Sequence, residues 1–428
     1  MVIRMTEERK LLVGFDLCND FTQISCYSKK SFEPESICYT DDETKYMIPT
    51  VLGVRKDTKE WLFGEDAIGK GKAGQAIVID QLITRIIRKE DFYVMDVKIP
   101  PEAILEKFFR KCLSLLKRYY PNEMVAKLVV TIPQLDITLI NMIYKAMEAL
   151  SLEKDRVSIQ SHTQSAVQFA MSQSRDLWMN DVGIFDFEEE GLHFYQIKIN
   201  RKHVPMAITV EEKDLSETLS FDLLEDLDDK ESLSYIFENL AKSVLYKQLV
   251  TTLYMTGKGF EGNWADEVFK HLCVGRRVFK GQNLYTKGAC YYARTLAGEG
   301  KTENFVYLTE EMVRSSLSIV LYRDAKESEY TLVEAGTLWY EANCEVSLIP
   351  DEKDEIVIRT KNFLNYEIHE HEISLAGLEK RPPKMTRLDL RLEFSDPYTC
   401  SVVVKDRGFG DYYPSTNQIL EQTITLAY

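Results

Sequence analysis

The sequence lacks several features that would assign it at once to a common class of protein. No apolar run approaches the roughly 20 residues needed to span a bilayer, and the opening MVIRMTEERK has no apolar signal-peptide core. The eight cysteines are scattered without a CxxC pair. We therefore expect buried free thiols in a reducing cytoplasm and no membrane partner.

Positive charge is also in short supply. The 53 lysines and arginines face 68 acidic residues, for a formal net charge of −15, whereas nucleic-acid binding needs clustered cations. Ten acidic residues and two lysines lie between Glu211 and Glu231. Such a run is typical of a solvated loop or helix face, with an interaction surface as the alternative. We expect no nucleic-acid partner.

The length and the pattern of the chain predict more than one domain. With 428 residues, two or three hydrophobic cores are expected. Strands and helices alternate over 1–300, in halves of about 1–175 and 176–300, which predicts an α/β region. After a linker at 301–312, the pattern over 313–428 is of strands separated by turns, which predicts an all-β domain.

One hairpin pattern occurs twice. It is GFDLCNDFTQISCYS at 14–28 and IFDFEEEGLHFYQIKI at 184–199, each a strand with Phe-Asp, a tight turn and a returning strand. Turns that hold phosphates are normally rich in glycine, because backbone N–H groups must approach the ligand. Here the turns are Leu-Cys-Asn-Asp and Phe-Glu-Glu-Glu-Gly. The repeated hairpin therefore has turns that lack the glycines typical of phosphate binding.

Three further motifs are ambiguous. GKGFEG at 257–262 is open to three interpretations: a plain strand-to-helix turn, an adenosine contact or a nicotinamide fingerprint, although the acidic residue of the last is missing. GEGKT at 298–302 lacks the first P-loop glycine and is interpreted as an interdomain turn. His369 and His371 flank Glu370 without a recognisable third ligand, so we expect no metal site there.

In their shared order these segments resemble the DnaK-type heat-shock chaperones of the actin-like ATPase superfamily. GFDLCNDF and FDFEEEG stand at the two phosphate motifs, YMTGKGFEGNWADEVFKHL at the adenosine motif, and ISLAGLEKRPPKMTRLDLRLEF in the β-sandwich. The resemblance implies a duplicated actin-like (ribonuclease-H-like) fold followed by a β-sandwich that binds protein or extended peptide.

The resemblance also implies where a nucleotide would bind. Asp16 and Asp186 stand at the positions of the two Mg²⁺-organising aspartates, and would hold Mg²⁺ only if nucleotide binds. The expected ATP-contacting residues are Asp16, Asn19, Asp20, Thr22, Asp186, Gly257, Lys258 and Gly259.

Departures from the family pattern predict a damaged ATPase. The turn glycines are gone, Glu188 to Glu190 occupy the second turn, and no lysine stands near Asp80 to Arg85, where the catalytic one is expected. Ser161 and His162 replace the acidic residue and proline of another motif. Phosphoryl transfer depends on positioning and charge neutralisation, so these losses should cripple it. The adenine-clamping subdomain and the helical lid are also expected to be missing.

We therefore predict a chaperone-like protein with a pseudo-ATPase domain, which acts through protein or peptide binding and requires no cofactor. Two alternatives remain. In the first, ATP and Mg²⁺ bind at an altered but working site, where Asp20 or His162 orients water. In the second, the chain is an actin-like structural or assembly protein. Oligomeric state is not predicted.

Overall fold

The chain forms two compact units. The computed structural model describes residues 10–40, 45–226, 230–300, 305–309, 311–323, 325–350 and 354–426. The first unit comprises Met1–Lys198 and Glu211–Glu303, and the second comprises Ile199–Val210 and Asn304–Tyr428. The division after Glu303 lies within the predicted linker 301–312, of which 301–304 and 310 lie outside the described residues. Assignment of 199–210 to the second unit differs from the predicted boundaries.

The first half of the first unit contains eleven described strands and six described α-helices. They are β1 (Lys10–Leu17), β2 (Phe21–Ser28), β3 (Glu33–Ser36), β4 (Ile48–Pro49), β5 (Leu52–Arg55), β6 (Trp61–Phe63), α1 (Gly64–Lys72), β7 (Ala76–Ile79), α2 (Leu82–Ile87), β8 (Phe92–Val94), β9 (Val97–Ile99), α3 (Pro101–Ser114), α4 (Leu116–Tyr119), β10 (Met124–Ile132), α5 (Ile137–Ala149), β11 (Val157–Ser161) and α6 (His162–Ser172).

The second half contains β12 (Asp181–Glu188), β13 (Gly191–Asn200), β14 (Met206–Asp214), α7 (Phe221–Asp226), α8 (Lys230–Leu245), β15 (Val250–Thr256), α9 (Asp266–Leu272), β16 (Arg277–Lys280) and α10 (Leu284–Leu296). Short 3₁₀ helices lie at Lys154–Arg156, Arg175–Leu177 and Lys258–Phe260. The acidic run is therefore part strand and part helix, with 227–229 outside the described residues.

Two sheets of the first unit share one strand order. The first runs β11-β10-β1-β2-β3, with β4 also paired to β2, and the second runs β16-β15-β12-β13-β14. In each sheet the first two strands of the half form an antiparallel hairpin. The first strand of that hairpin also pairs in parallel with a later strand. The repeated hairpin of the sequence is thus part of a repeated sheet.

Helix α6 begins at a well-defined place, which fixes the first residue of the helix. The Ser161 side chain accepts the Gln164 backbone N–H while the Gln164 side chain accepts the Ser161 N–H. This capping box satisfies two backbone donors that a helix start leaves free. His162, the first residue of α6, consequently lies at the carboxyl end of β11.

Helix α10 packs with almost no gap against β1 and α6. A Cβ built at Gly14 of β1 would lie 2.1 Å from the Thr286 carbonyl oxygen, and one at Gly288 would lie 1.9 Å from the Ser165 carbonyl oxygen. Only glycine permits backbones to approach so closely. These two contacts set the position of α10, and hence of Tyr285 in its first turn.

The second unit is built from strands. Its described strands, besides residues 206–209 of β14, are β17 (Phe305–Leu308), β18 (Ser315–Arg323), β19 (Lys326–Val333), β20 (Cys344–Leu348), β21 (Glu355–Asn362), β22 (Ile368–Ser374), β23 (Arg387–Asp396), β24 (Thr399–Gly408) and β25 (Ile419–Thr425). Residues 206–209 pair in parallel with β17, so part of the predicted linker is a strand.

Two four-stranded antiparallel sheets make up most of the second unit. Their orders are β19-β18-β21-β22 and β20-β23-β24-β25. Inward-facing residues of both sheets, among them Leu317, Ile358, Leu390 and Val402, belong to one hydrophobic core. The alternation of buried and exposed residues along β21, β23 and β24 is typical of sheets with one buried face.

Among the described residues, every helix is too short or too polar to cross a lipid bilayer.

Candidate functional site

The two predicted aspartates occupy equivalent places in the two sheets. Asp16 lies opposite Thr131 of the parallel neighbour β10, and Asp186 lies opposite Thr256 of the parallel neighbour β15. Both aspartates are buried. Each therefore stands near the carboxyl end of the first hairpin strand of its sheet, where side chains of a mixed α/β sheet commonly form a site.

Asp16 forms a compact group with Cys18 and His162. The sequence pattern did not define the part that these two residues play in the site. His162 Nε2 lies 2.8 Å from Asp16 Oδ1, and the Cys18 thiol donates to the same oxygen at 3.4 Å. Cys18 Sγ is also 3.6 Å from His162 Nε2. Burial, reinforced by the Asp16 charge, raises the pKa of Cys18 well above its usual range. One sulfur, one nitrogen and one oxygen thus converge on a small volume.

Asp186 has a different partner. The Tyr285 hydroxyl donates to Asp186 Oδ2 at 2.6 Å, whereas Asp186 Oδ1 is buried and has no hydrogen-bond partner within the described part of the chain. Burial raises the pKa of Asp186, and the Tyr285 hydrogen bond and the His162 charge oppose that rise. A buried carboxylate with one unpaired oxygen is costly unless a proton or a cation accompanies it.

Tyr285 links the two aspartate groups. Its ring stacks on His162 with centroids 3.9 Å apart and an interplanar angle of 12°, while its hydroxyl bonds Asp186. His162 in turn bonds Asp16. A continuous chain of side-chain contacts therefore runs from Asp16 through His162 and Tyr285 to Asp186. The two aspartates are therefore connected through side chains of the protein itself.

The first turn uses its polar residues within the protein. The Asn19 side chain accepts the Ile83 and Thr84 backbone N–H groups at 3.1 Å each and donates to Thr84 Oγ1. Thr22 Oγ1 is fully buried and lies 2.9 Å from Thr50 Oγ1. Asn19 and Thr22, both predicted to contact ATP, are thus engaged in holding α2 and the neighbouring segment.

Asp20 is the last residue of the first turn and is half-buried. Burial raises the pKa of Asp20 to about 6, and the charges of Glu189 and Glu190 add to that effect. The structure thus brings carboxylates of the two hairpin turns close enough to repel one another. The positive charge of Lys258, from the second half of the unit, opposes the rise in the pKa of Asp20.

The three glutamates of the second turn do not behave alike. Glu188 ends β12 and accepts the Lys258 backbone N–H at 3.3 Å. Burial, together with the Asp186 charge, raises the pKa of Glu188 to about 9. Glu189 and Glu190 are exposed. Of the three glutamates, Glu188 is therefore the one that is half-buried and held by a backbone N–H.

The GKGFEG segment packs on strand β12. Gly257 has φ of +98°, and a Cβ there would lie 2.4 Å from the Phe187 carbonyl oxygen, while one at Gly259 would lie 2.4 Å from the Phe187 ring. These contacts account for both glycines without a ligand. The sheet beside them is mixed, with an antiparallel hairpin next to parallel strands, so it lacks the doubly wound parallel arrangement of a nicotinamide site.

Lys258 reaches towards the hairpins. Its Nζ lies 3.3 Å from Glu189 Oε1 and over the rings of Phe21 and Phe221 at 5.5 and 5.4 Å. Cation–π contacts and an acidic neighbour both stabilise an ammonium group. The predicted ATP-contacting lysine is consequently paired with residues of the protein.

Within the described residues, one group of three side chains has ligand atoms close enough together to hold a metal ion, namely Asp16, Cys18 and His162. His369 and His371 are not part of such a group: Glu370 pairs with Arg359, and His371 Nε2 lies 3.2 Å from Thr360 Oγ1. All eight cysteines are free thiols, and Cys273 is the one classed as exposed. Lys301 and Thr302 of the GEGKT segment lie outside the described residues.

Comparison with known proteins gives a family without a described activity. No curated protein matches the chain. Residues 312–426 match a domain of unknown function, DUF8552. Residues 33–310, more than half of the chain, match the C-terminal region of the family of unknown function DUF5716. The chain belongs to the DUF5716 family.

Proposed function

We propose that the first unit is an actin-like pseudo-ATPase, and that the chain acts as a chaperone-like protein by binding protein through its second unit. The observation that carries this proposal is the chain of contacts through Tyr285, which ties Asp16 and Asp186 to residues of the protein itself. ATP hydrolysis is not part of the proposed activity.

The repeated sheet supports the actin-like part of the proposal. Both sheets have the order of a hairpin strand pair flanked by a third antiparallel strand on one side and two parallel strands on the other. Asp16 and Asp186 stand at equivalent positions of the two copies. Such a duplication is what the resemblance to actin-like ATPases implies.

The contents of the cleft support the loss of nucleotide binding. Phosphates need backbone N–H donors and positive charge, but the first turn holds α2 through Asn19 and the second places Glu188 inside. Lys258 is paired with Glu189. A triphosphate beside Asp16 and Asp186 would have to approach buried carboxylates.

Two exposed apolar side chains on β18 support protein binding by the second unit. Val320 and Tyr322 are 52% and 75% exposed and alternate with the core residues Ile319 and Leu321. Because side chains i and i+2 share a face of a strand, Val320 and Tyr322 form one outward patch. A patch of this kind beside the edge strand β19 suits an extended segment of another protein.

The free thiols suit a reducing compartment such as the cytoplasm. We therefore propose that the protein is located in the cytoplasm and meets its protein partners there.

Calorimetric titration of the full chain with Mg-ATP tests the pseudo-ATPase. We expect no saturable binding and no release of phosphate above the buffer rate. Tyr285→Ala breaks the chain of contacts between the aspartates, and Tyr254→Ala is the matched control, since Tyr254 is a buried tyrosine that packs on Phe169 and Phe279. Low-micromolar binding by the unmodified chain together with phosphate release would refute the proposal.

Anisotropy of a fluorescently labelled, permanently unfolded protein tests the second unit. We expect the full chain to bind it, and the double variant Val320→Ser/Tyr322→Ser to bind it more weakly. Tyr412→Ser is the matched control, because Tyr412 is 94% exposed in the same unit but lies outside the described strands. Equal loss in both variants, or no binding by the unmodified chain, would count against this surface.

A further inference from the structure

Asp16, Cys18 and His162 form a group whose geometry differs from that of a nucleophilic triad. In a Cys-His-acid triad the thiol and the acid contact opposite nitrogens of the imidazole. Here Cys18 Sγ and Asp16 Oδ1 both approach Nε2, at 3.6 and 2.8 Å, and they also approach each other at 3.4 Å. The sulfur, oxygen and nitrogen atoms thus surround one point, which is how ligand atoms are arranged around a metal ion.

The distances fit one tetrahedral ion. Zinc bonds of about 2.3 Å to sulfur and about 2.0 Å to nitrogen and oxygen separate tetrahedral ligand atoms by roughly 3.3 to 3.6 Å. The two separations that involve Cys18 Sγ, 3.4 and 3.6 Å, agree with that range. The Asp16–His162 separation of 2.8 Å is a hydrogen bond, which would open by about 0.5 Å around the ion.

We propose that Asp16 Oδ1, Cys18 Sγ and His162 Nε2 bind one zinc ion in the cleft. The inference is independent of the pseudo-ATPase proposal, because it needs no nucleotide. On binding, the Cys18 thiol releases its proton to solvent and its sulfur forms the bond to zinc. The proton of the Asp16–His162 hydrogen bond also leaves, so that His162 binds through Nε2 as the neutral imidazole that carries its proton on Nδ1, and Asp16 binds as the carboxylate.

The ligand types favour zinc over magnesium. Magnesium requires oxygen ligands in octahedral geometry, whereas a thiolate and an imidazole are ligands of zinc and its neighbours in the transition series. One thiolate and one carboxylate also balance the two charges of the ion. This charge balance suits a buried position, and the side chains of Asp16 and His162 are 7% and 13% exposed.

A second, independent observation points to the same place. Asp186 Oδ1 is buried with no hydrogen-bond partner in the described part of the chain, and the His162 and Asp16 charges both act on that carboxylate. Three protein ligands leave the fourth position of a tetrahedral ion to water. Asp186 Oδ1 supplies an acceptor for that water, which would satisfy the orphaned oxygen.

The position of His162 is fixed before any ion binds. The capping box at Ser161 starts α6 at this residue, and Tyr285 stacks on the face of its ring. Cys18 follows the end of β1, whose Asp16 pairs with β10. A site held by a helix start and by a paired strand is preorganised, which raises affinity because few side chains must be ordered on binding.

Titration of the metal-free, reduced full chain with cobalt(II) alone tests the site. We expect one equivalent to bind, with the visible bands of tetrahedral cobalt and a near-ultraviolet thiolate-to-cobalt band, and we expect zinc to displace it. Cys18→Ser should abolish the thiolate band, and His162→Gln should weaken binding by more than about tenfold, the least that disturbing an outer-shell partner costs. Each variant is checked for native far-ultraviolet circular dichroism.

Matched controls remove the same side-chain types from the surface. Cys273→Ser changes the exposed cysteine, and His271→Gln changes a histidine that pairs with Glu238. Both variants should bind cobalt as the unmodified chain does. A thiolate band that persists in Cys18→Ser, binding without any thiolate band, or no stoichiometric binding by the unmodified chain would each overturn the proposal. If Cys18→Ser does not fold, His162→Gln and the spectrum of the unmodified chain decide the matter.

Discussion

Replacing Glu188, the half-buried acid at the end of β12, should make the first unit more stable. Glu188 faces inward, and burial and the Asp186 charge raise its pKa from 4.5 to about 9. Glu188→Gln keeps the shape of the side chain and an oxygen for the Lys258 N–H. Because glutamine has no carboxylate, the variant folds without having to bind a proton at position 188.

The direction of the pH dependence follows from that proton. Above about pH 4.5 the unfolded chain has released it, while the folded protein retains it up to about pH 9. The unfolding free energy of the unmodified chain should therefore fall as the pH rises through this window. At about 1.4 kcal/mol per pH unit, Glu188→Gln should gain up to about 3 kcal/mol at pH 7 and almost nothing near pH 4.5.

Urea denaturation between pH 4.5 and 9, in buffer with a chelator, measures this difference. Three of the four tryptophans, Trp61, Trp178 and Trp264, belong to the first unit, so their fluorescence follows the unfolding of that unit. Glu190→Gln is the matched control, because Glu190 is exposed in the same turn. We expect its effect to be small at every pH.

Two outcomes would refute the reasoning. If Glu188→Gln destabilises the unit at pH 7, the carboxylate is charged and paired with a cation or donor in the folded protein. If its gain is the same at pH 4.5 and pH 9, the effect comes from packing and the side chain does not retain a proton on folding. Either result would require a different account of the cleft.

Three further predictions concern single contacts, each measured by urea denaturation. Tyr285→Phe removes the hydrogen bond to Asp186 and should cost about 2 kcal/mol, whereas Tyr254→Phe should cost little. Gly257→Ala should cost about 2 kcal/mol or more, because its Cβ would meet the Phe187 backbone at 2.4 Å, while Gly262→Ala, with open space around it, should cost about 1 kcal/mol. Arg381→Met should cost the second unit about 3 to 5 kcal/mol, because it leaves Asp406 buried without the two bonds of 2.8 Å that hold the pKa of that carboxyl far below its usual range. The same pair should lose its contribution as the pH falls below the ordinary aspartate pKa, and Arg391→Met, from an exposed pair, should cost at most about 1 kcal/mol.

Local patterns predicted much of the architecture because they depend on neighbouring residues. The alternation of strands and helices predicted the mixed α/β character of the first unit, and strands separated by turns predicted the strand-rich second unit. The pairing of 206–209 with β17 was not predicted, because it joins segments about one hundred residues apart. Long-range pairing leaves no periodic signal in either strand.

The candidate site was predicted only in part for the same reason. The repeated Phe-Asp pattern identified Asp16 and Asp186, and the sequence drew attention to His162. Tyr285 was missed because its position depends on the close approach of α10 to β1 at Gly14, a contact between residues far apart in the chain. Cys18 lay inside the predicted turn, but its role depends on the meeting of β1 with the start of α6. The sequence signal available for the packing of α10 was a glycine in the middle of each element, Gly14 in β1 and Gly288 in α10.

The charges of the cleft connect the two proposals. A carboxylate about 4 Å from a phosphate charge costs about 4 kcal/mol at an effective dielectric constant of 20, so the buried acids Asp16 and Asp186 oppose the triphosphate of ATP even with its Mg²⁺. The same acids attract a bare cation, which meets a thiol and an imidazole at the same point. One electrostatic field therefore predicts opposite results for the two ligands: cobalt should bind without nucleotide, and Mg-ATP should not bind at all.

ATP added to the cobalt-loaded protein should then remove metal only to the extent that free ATP chelates it in solution. Formation of a stable ternary complex of protein, metal and ATP would show that positive charge other than Lys258 reaches the phosphates, and the pseudo-ATPase proposal would then need to be revised while the metal site would stand.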